Sequence, residues 1–119
     1  MANPNMANVS AIYGKTAGAA LTTGSADIVT NSAASNKIFK INAIYVSNVD
    51  GVNNADVTIG FYDSSATATY ELASTVTVPA DATVDVLTKS IYLEEGDKIT
   101  ALASASGDLE IIVSYEEIS

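Results

Sequence analysis

Neither cysteine nor histidine occurs anywhere in the chain. Without cysteine there is no disulfide framework, no thiolate metal site and no thiol nucleophile. Without histidine the commonest general base at neutral pH is missing, and with it every Ser-His or Cys-His pair and the usual zinc ligands. An enzyme built from this sequence would have to run all its proton transfers through carboxylates, lysine or tyrosine, so no enzymatic activity, metal or cofactor is expected. Basic residues are also scarce, five against fourteen acidic ones, for a formal charge of −9. Such a charge repels phosphate backbones and anionic lipid surfaces, which argues against nucleic-acid or membrane partners. No apolar run approaches the roughly 18 residues of a membrane span. The first residues also lack a charged stretch followed by an apolar one, so a soluble, unprocessed chain is expected.

What is present is small, neutral and β-prone. Charged residues make up only 16% of the 119 residues, while Ala, Thr, Ser, Val and Ile abound. A chain of this length forms one domain and buries roughly two-thirds of the surface it would expose unfolded. Much of the remaining surface must be uncharged, which suits contact with other subunits as well as it suits an ordinary sheet.

Hydrophobic alternation places the strands. From Leu109 onward Leu109, Ile111, Val113 and Tyr115 fall on one face and Glu110, Ile112, Ser114 and Glu116 on the other, the period of two of a half-buried strand. Lys98 to Ser104 alternates too, and Ser106-Gly107-Asp108 between the two runs has the composition of a tight turn, so a C-terminal hairpin is expected. Lys37 to Val46 is apolar on both faces, the mark of a central strand or of one bent by a bulge. Asp56 to Asp63 directs Val57, Ile59 and Phe61 inward, and Tyr70 to Val78 directs Tyr70, Leu72, Val76 and Val78 inward before Pro79 ends it. Shorter strands are expected at Ser25 to Thr30, Thr83 to Leu87 and Ser90 to Leu93. Strands at spacings of about ten residues with turns between them predict an all-β fold, a seven- to eight-stranded antiparallel β-sandwich of jelly-roll or Ig-like type. Ile59, Phe61, Leu72, Ile99, Ile111 and Val113 should share its core.

Residues 1–24 read differently. They carry few large apolar groups and three glycines, Gly14, Gly18 and Gly24, and predict an extended N-terminal arm in front of a sandwich domain at 25–119. An edge strand at Asn8 to Tyr13 and a helical turn at Ala17 to Leu21 are the local alternatives. Ile12, Tyr13 and Leu21 would stay partly wet on an isolated arm, which makes them the candidate interface residues.

The remaining constellations have bland readings that outweigh the chemical ones. Glu94-Glu95-Gly96-Asp97 could hold calcium or supply an acid–base pair, but it reads better as a solvated turn with Gly96 at positive φ. Asn48, Asp50, Asn53, Asn54 and Asp56 form a loose string of oxygen ligands that misses EF-hand spacing and its closing Glu. Six tyrosines, for example Tyr62 with Tyr92, could stack against sugars, yet there is no tryptophan to join them and boundary positions are the more ordinary use. The five lysines, Lys15, Lys37, Lys40, Lys89 and Lys98, are scattered as solubility charges are.

Three segments carry a resemblance: Lys40 to Asp50 (KINAIYVSNVD), Thr75 to Lys89 (TVTVPADATVDVLTK) and Ser90 to Ser119, with SIYLEEGDKI and the ending DLEIIVSYEEIS. Together they resemble small β-sandwich virion structural proteins of tailed bacteriophages, of the type found in marine cyanobacterial phages. The resemblance spans roughly residues 25–119 and its motifs are structural. It implies a virion protein made in the host cytoplasm, most simply a capsid decoration or cement protein on the capsid surface that binds the major capsid protein lattice as a homo-oligomer, with a trimer favoured. A tail, neck or fibre-associated component is the alternative, and a glycan-binding module that aids host attachment is a second.

Overall fold

The computed structural model describes residues 3–119, which form nine strands and no helix. In chain order these are β1 (Ile12–Ala20), β2 (Ala26–Thr30), β3 (Ile38–Asn48), β4 (Ala55–Asp63), β5 (Ala68–Val78), β6 (Thr83–Asp85), β7 (Ile91–Leu93), β8 (Lys98–Ala103) and β9 (Leu109–Ile118). One sheet runs β1-β9-β3-β6, with β7 on the same edge of β3 as β6; the other runs β2-β8-β4-β5. Every pairing is antiparallel.

The pairing is nested. β4 and β5 form a hairpin, β3 pairs β6 and β7 around it, β2 pairs β8, and β1 pairs β9. The chain is therefore one long antiparallel ribbon folded at the β4–β5 turn and wound across two sheets, a jelly roll with one strand split in two. That topology selects between the two sandwich types the sequence allows.

It also replaces the C-terminal hairpin. β8 lies in the second sheet beside β2 and β4, and β9 lies in the first beside β1 and β3. Alternation shows that each of these strands buries one face; it does not show whether those faces lie side by side or oppose one another. Here they oppose: Ile99, Ala101 and Ala103 meet Leu109, Ile111 and Val113 in one core, and the connection, with Gly107 at φ 85°, arches from sheet to sheet.

All six expected core residues belong to this core, four of them fully buried and Phe61 and Leu72 at its margin. β3 is both central and bulged, its register shifting between Ile41 and Ala43, so that Phe39 and Ile41 before the bulge and Ile44 and Val46 after it all face inward. β5 departs from its expected face. Two register shifts against β4 and a left-handed Thr75 turn Ala73 inward and leave Tyr70 and Val76 exposed.

The expected arm is the larger correction. Ile12–Ala20 is not an isolated extension but pairs β9 in unbroken register from Ile12↔Ile118 to Ala20↔Glu110. There is no helical turn at Ala17 to Leu21; that stretch completes the strand and delivers Leu21 into the core at 1% exposure. The reason is non-local: without β1, β9 would itself be an unpaired edge, and pairing decides what weak local propensity does not.

At Gly60 the neighbouring strands leave no room for a side chain. A Cβ there would stand 2.7 Å from both Thr100 Oγ1 and Thr69 Cγ2. Gly60→Ala is expected to destabilise the fold by about 1–3 kcal/mol through overpacking, measurable by urea denaturation.

Candidate assembly surfaces

Of the three candidate interface residues, the structure keeps two at the surface. Ile12 and Tyr13 are 53% and 60% exposed at the start of β1, whereas Leu21 is a core residue of its own chain. The side chains of β1 alternate between the two faces of the first sheet. Tyr13, Lys15, Ala17 and Ala19 share the inner face with their partners Glu117, Tyr115, Val113 and Ile111, and Gly14, Thr16, Gly18 and Ala20 lie on the outer face. Eight of its nine residues are exposed, because the second sheet barely reaches beneath it.

β1 is fastened to the body by an ion cluster. Lys15 Nζ lies 3.0 Å from Glu117 Oε2, and Lys37 Nζ lies 3.2 Å from Glu117 Oε1, so one carboxylate of β9 ties β1 to the entry of β3. Burial pushes the Glu117 carboxyl up, but hydrogen bonds from Lys15 and Lys37 and their charges outweigh it and hold the pKa below the usual carboxylate range. The Lys15 ammonium is raised by the same hydrogen bond and charge.

The outer face of the first sheet carries a small apolar row. Ile112 pairs directly with Tyr45 on one side and Gly18 on the other, and both side chains remain about 40% exposed. Beside them Gly18, Ala20, Ser47 and Glu110 line a shallow depression of about 280 Å³. Tyr92 lies on this same face opposite Lys40, while Tyr62 lies on the outer face of the second sheet under the Lys98 ammonium. The structure therefore does not bring Tyr62 and Tyr92 together.

The two polar clusters singled out in the sequence are spent on the fold. Asp97, 2% exposed, accepts from the Ser64 N–H at 2.9 Å and from the Glu94 N–H at 3.0 Å, and the buried Glu95 accepts from the Asn36 N–H at 3.2 Å. The turn has its positive φ at Gly96, 86°, but it is a buried lock between loops and not a solvated turn. Burial raises the Asp97 pKa, an effect the two amide donors reduce and the nearby Asp63 and Glu94 charges increase. At the opposite end Asp50 accepts from the N–H groups of Val52 and Asn53, which keeps its pKa low. Among the described residues no group of three or more acidic side chains is placed to hold a metal ion.

What the sequence does not reveal is the role of two buried asparagines: Asn31 stands out in no pattern, and Asn48 only as one of a loose string of oxygen ligands. Asn31 donates to the carbonyls of Lys37 and Leu93 and accepts from the Ser35 hydroxyl; Asn48 donates to the carbonyls of Asn53 and Val78 and accepts from the Asp50 N–H. Each closes one end of the sandwich by joining loops from both sheets. The only local signal is an asparagine standing at the last position of an apolar strand or just beyond it.

The shifts of Glu117 and Asp97 have opposite signs in stability. The Glu117 pKa is lowered, so its contribution is complete above the ordinary carboxylate pKa and disappears as pH falls through the lowered value. The Asp97 pKa is raised, so its contribution is complete below the ordinary carboxylate pKa and is lost as pH rises through the raised value. Glu117→Gln should therefore lower stability at pH 7 by about 1 kcal/mol or less, with the difference from the parent disappearing as pH falls through the lowered Glu117 pKa, as read from melting curves across pH.

No family model and no curated protein matches the chain in sequence. Solved structures match it in fold. One is from the Bacillus endospore appendages, a novel family of disulfide-linked pili, with a TM-score of 0.52 and 20% identity over 89% of this chain and 85% of that one. Another is from the acidic stable capsid structure of Helicobacter pylori bacteriophage KHP30, with a TM-score of 0.55 and 11% identity over 94% of this chain and 90% of that one. At such identities the likeness is one of fold, and it covers nearly the whole jelly roll.

Proposed function

We propose that this chain is a virion structural protein, a capsid decoration or cement protein whose many copies bind and stabilise the major capsid protein lattice. The observation that carries the reading is the fold shared over 94% of the chain with a structure from a phage capsid. The three sequence segments that resemble phage virion sandwiches support it. So does the chemistry: the buried polar groups are engaged in closing the fold, no His or Cys is present, and the −9 charge keeps the protein soluble until it meets a partner surface. Quantitative gels of purified particles test it. Copies in the hundreds per particle are expected of a lattice-binding protein; a handful would move the protein to the tail or neck.

The pilus likeness favours a second reading, a subunit of an extended appendage such as a tail or fibre. This chain has no cysteine, so any such subunit contact would have to form without disulfides.

A further inference from the structure

The two sheets have four edges, and three of them are blunted. β2 is five residues long and bulged between Asp27 and Val29. β5 shifts register twice, carries a left-handed Thr75 and runs into Pro79. The third edge is broken into β6 and β7, three residues each. β1 has none of these devices. It is nine residues long, free of proline and bulges, and open to solvent, and no strand among the described residues pairs its second edge. Lys15, the one charge on it, leans back over β9 to Glu117. Long regular edges are templates for another strand, and proteins ordinarily protect them.

The outward backbone groups can be named. Ala11 and Ser119 exchange both hydrogen bonds, and the Leu21 N–H donates to the Leu109 carbonyl, so the odd-numbered residues between them bond inward to β9. The N–H and C=O groups of Ile12, Gly14, Thr16, Gly18 and Ala20 therefore point to the free edge. Charge marks the same place. All fourteen acidic residues lie between positions 27 and 119, so in a chain of charge −9 the first 26 residues carry no acid at all. β1 itself therefore brings no carboxylate to a second copy, the nearest ones being Glu110, Glu116 and Glu117 of β9, the last of them paired with Lys15.

We propose that the free edge of β1 is a docking site for the same edge of a second copy, joining two first sheets into one continuous sheet. Antiparallel pairing about Thr16 sets Thr16 against Thr16, Gly14 against Gly18 and Ile12 against Ala20 of the other copy. No like charges face each other, since Lys15 stands opposite Ala17. The pairing forms roughly ten backbone hydrogen bonds and covers the exposed Ile12. A second copy has no other unblunted edge to offer, so the contact closes after two chains, a twofold arrangement where the sequence reading favours a trimer. This contact is independent of what the dimer then binds.

Thr16→Pro is the direct test, because proline at position 16 removes an outward N–H and leaves the β1–β9 ladder intact. Sedimentation of the parent chain is expected to give the mass of two chains, and the variant that of one, with the same β-type circular dichroism spectrum. Amide exchange in the parent adds a readout that needs no variant: the N–H groups of Gly14, Thr16 and Gly18 should be protected, although within one copy they face water. A parent that sediments as a monomer or a trimer, a Thr16→Pro variant that keeps the dimer mass, or free exchange at Thr16 and Gly18 would overturn the proposal.

Discussion

Replacing Asn48 with leucine is expected to cost about 3–6 kcal/mol, among the largest effects of any single substitution in this chain. The side chain is 3% exposed and makes three hydrogen bonds, donating at 2.9 Å to the Asn53 and Val78 carbonyls and accepting at 2.9 Å from the Asp50 N–H. Leucine nearly matches its size but takes a partner from the buried Val78 carbonyl, whose loss alone costs about 1–3 kcal/mol, and from the part-buried Asn53 carbonyl and Asp50 N–H, which add less each, and it also loses the Asn48 amide's own bonds. The same holds at Asn31, which is fully buried and serves the carbonyls of Lys37 and Leu93. Aspartate at either position should be no better near neutral pH, because it would turn a carboxylate oxygen toward two carbonyls. Chemical denaturation of the four variants checks this, and a loss below about 1 kcal/mol for both leucine variants would mean that water replaces the lost donors.

Ile111→Ala is expected to cost about 3–5 kcal/mol, whereas Ile112→Ala in the same strand should change the stability of a single copy by less than about 0.5 kcal/mol. The two residues are adjacent and chemically identical. Ile111 is fully buried between the sheets, and Ile112 is 42% exposed on the outer face beside Tyr45. Truncating the first removes burial and leaves a cavity that two opposed sheets cannot close; truncating the second removes neither. Phe61→Ala should fall between them, at about 1–3 kcal/mol, since its ring sits at the core margin. Comparable losses at positions 111 and 112 would contradict the assignment of β9 faces.

The sequence reveals those faces because a period of two reports burial directly. β4 and β9 could be read in this way, whereas the two-faced apolar run of β3 left a central and a bulged strand as alternatives, and the strand is both. Three things could not. The β8–β9 connection is ambiguous because two amphipathic strands look the same whether they pair or oppose, and only the nested pairing of the whole ribbon decides. Tyr70 and Val76 come out exposed because the register shifts at β4–β5 break the alternation on which their placement rested. β1 is opaque locally: its Gly, Ala and Thr residues bury little and form a strand because β9 needs a partner.

The candidate surfaces divide along the same line. Ile12 and Tyr13 could be singled out as apolar groups in a sparse segment, and they are indeed exposed, while Leu21 shares that segment but turns inward after the strand ends. The burial of Glu95 and Asp97 was hidden because nothing in Glu94-Glu95-Gly96-Asp97 reveals that the amides of Asn36 and Ser64, distant in sequence, will fold onto it.

The most direct test of the proposed virion role is a cryo-electron microscopy reconstruction of the particles formed in cells that make this protein. The jelly roll should fit density repeated over the outer surface of the capsid, in contact with the major capsid protein at equivalent lattice positions. Density for it confined to the tail or neck, or absent from the particle altogether, would contradict the decoration assignment.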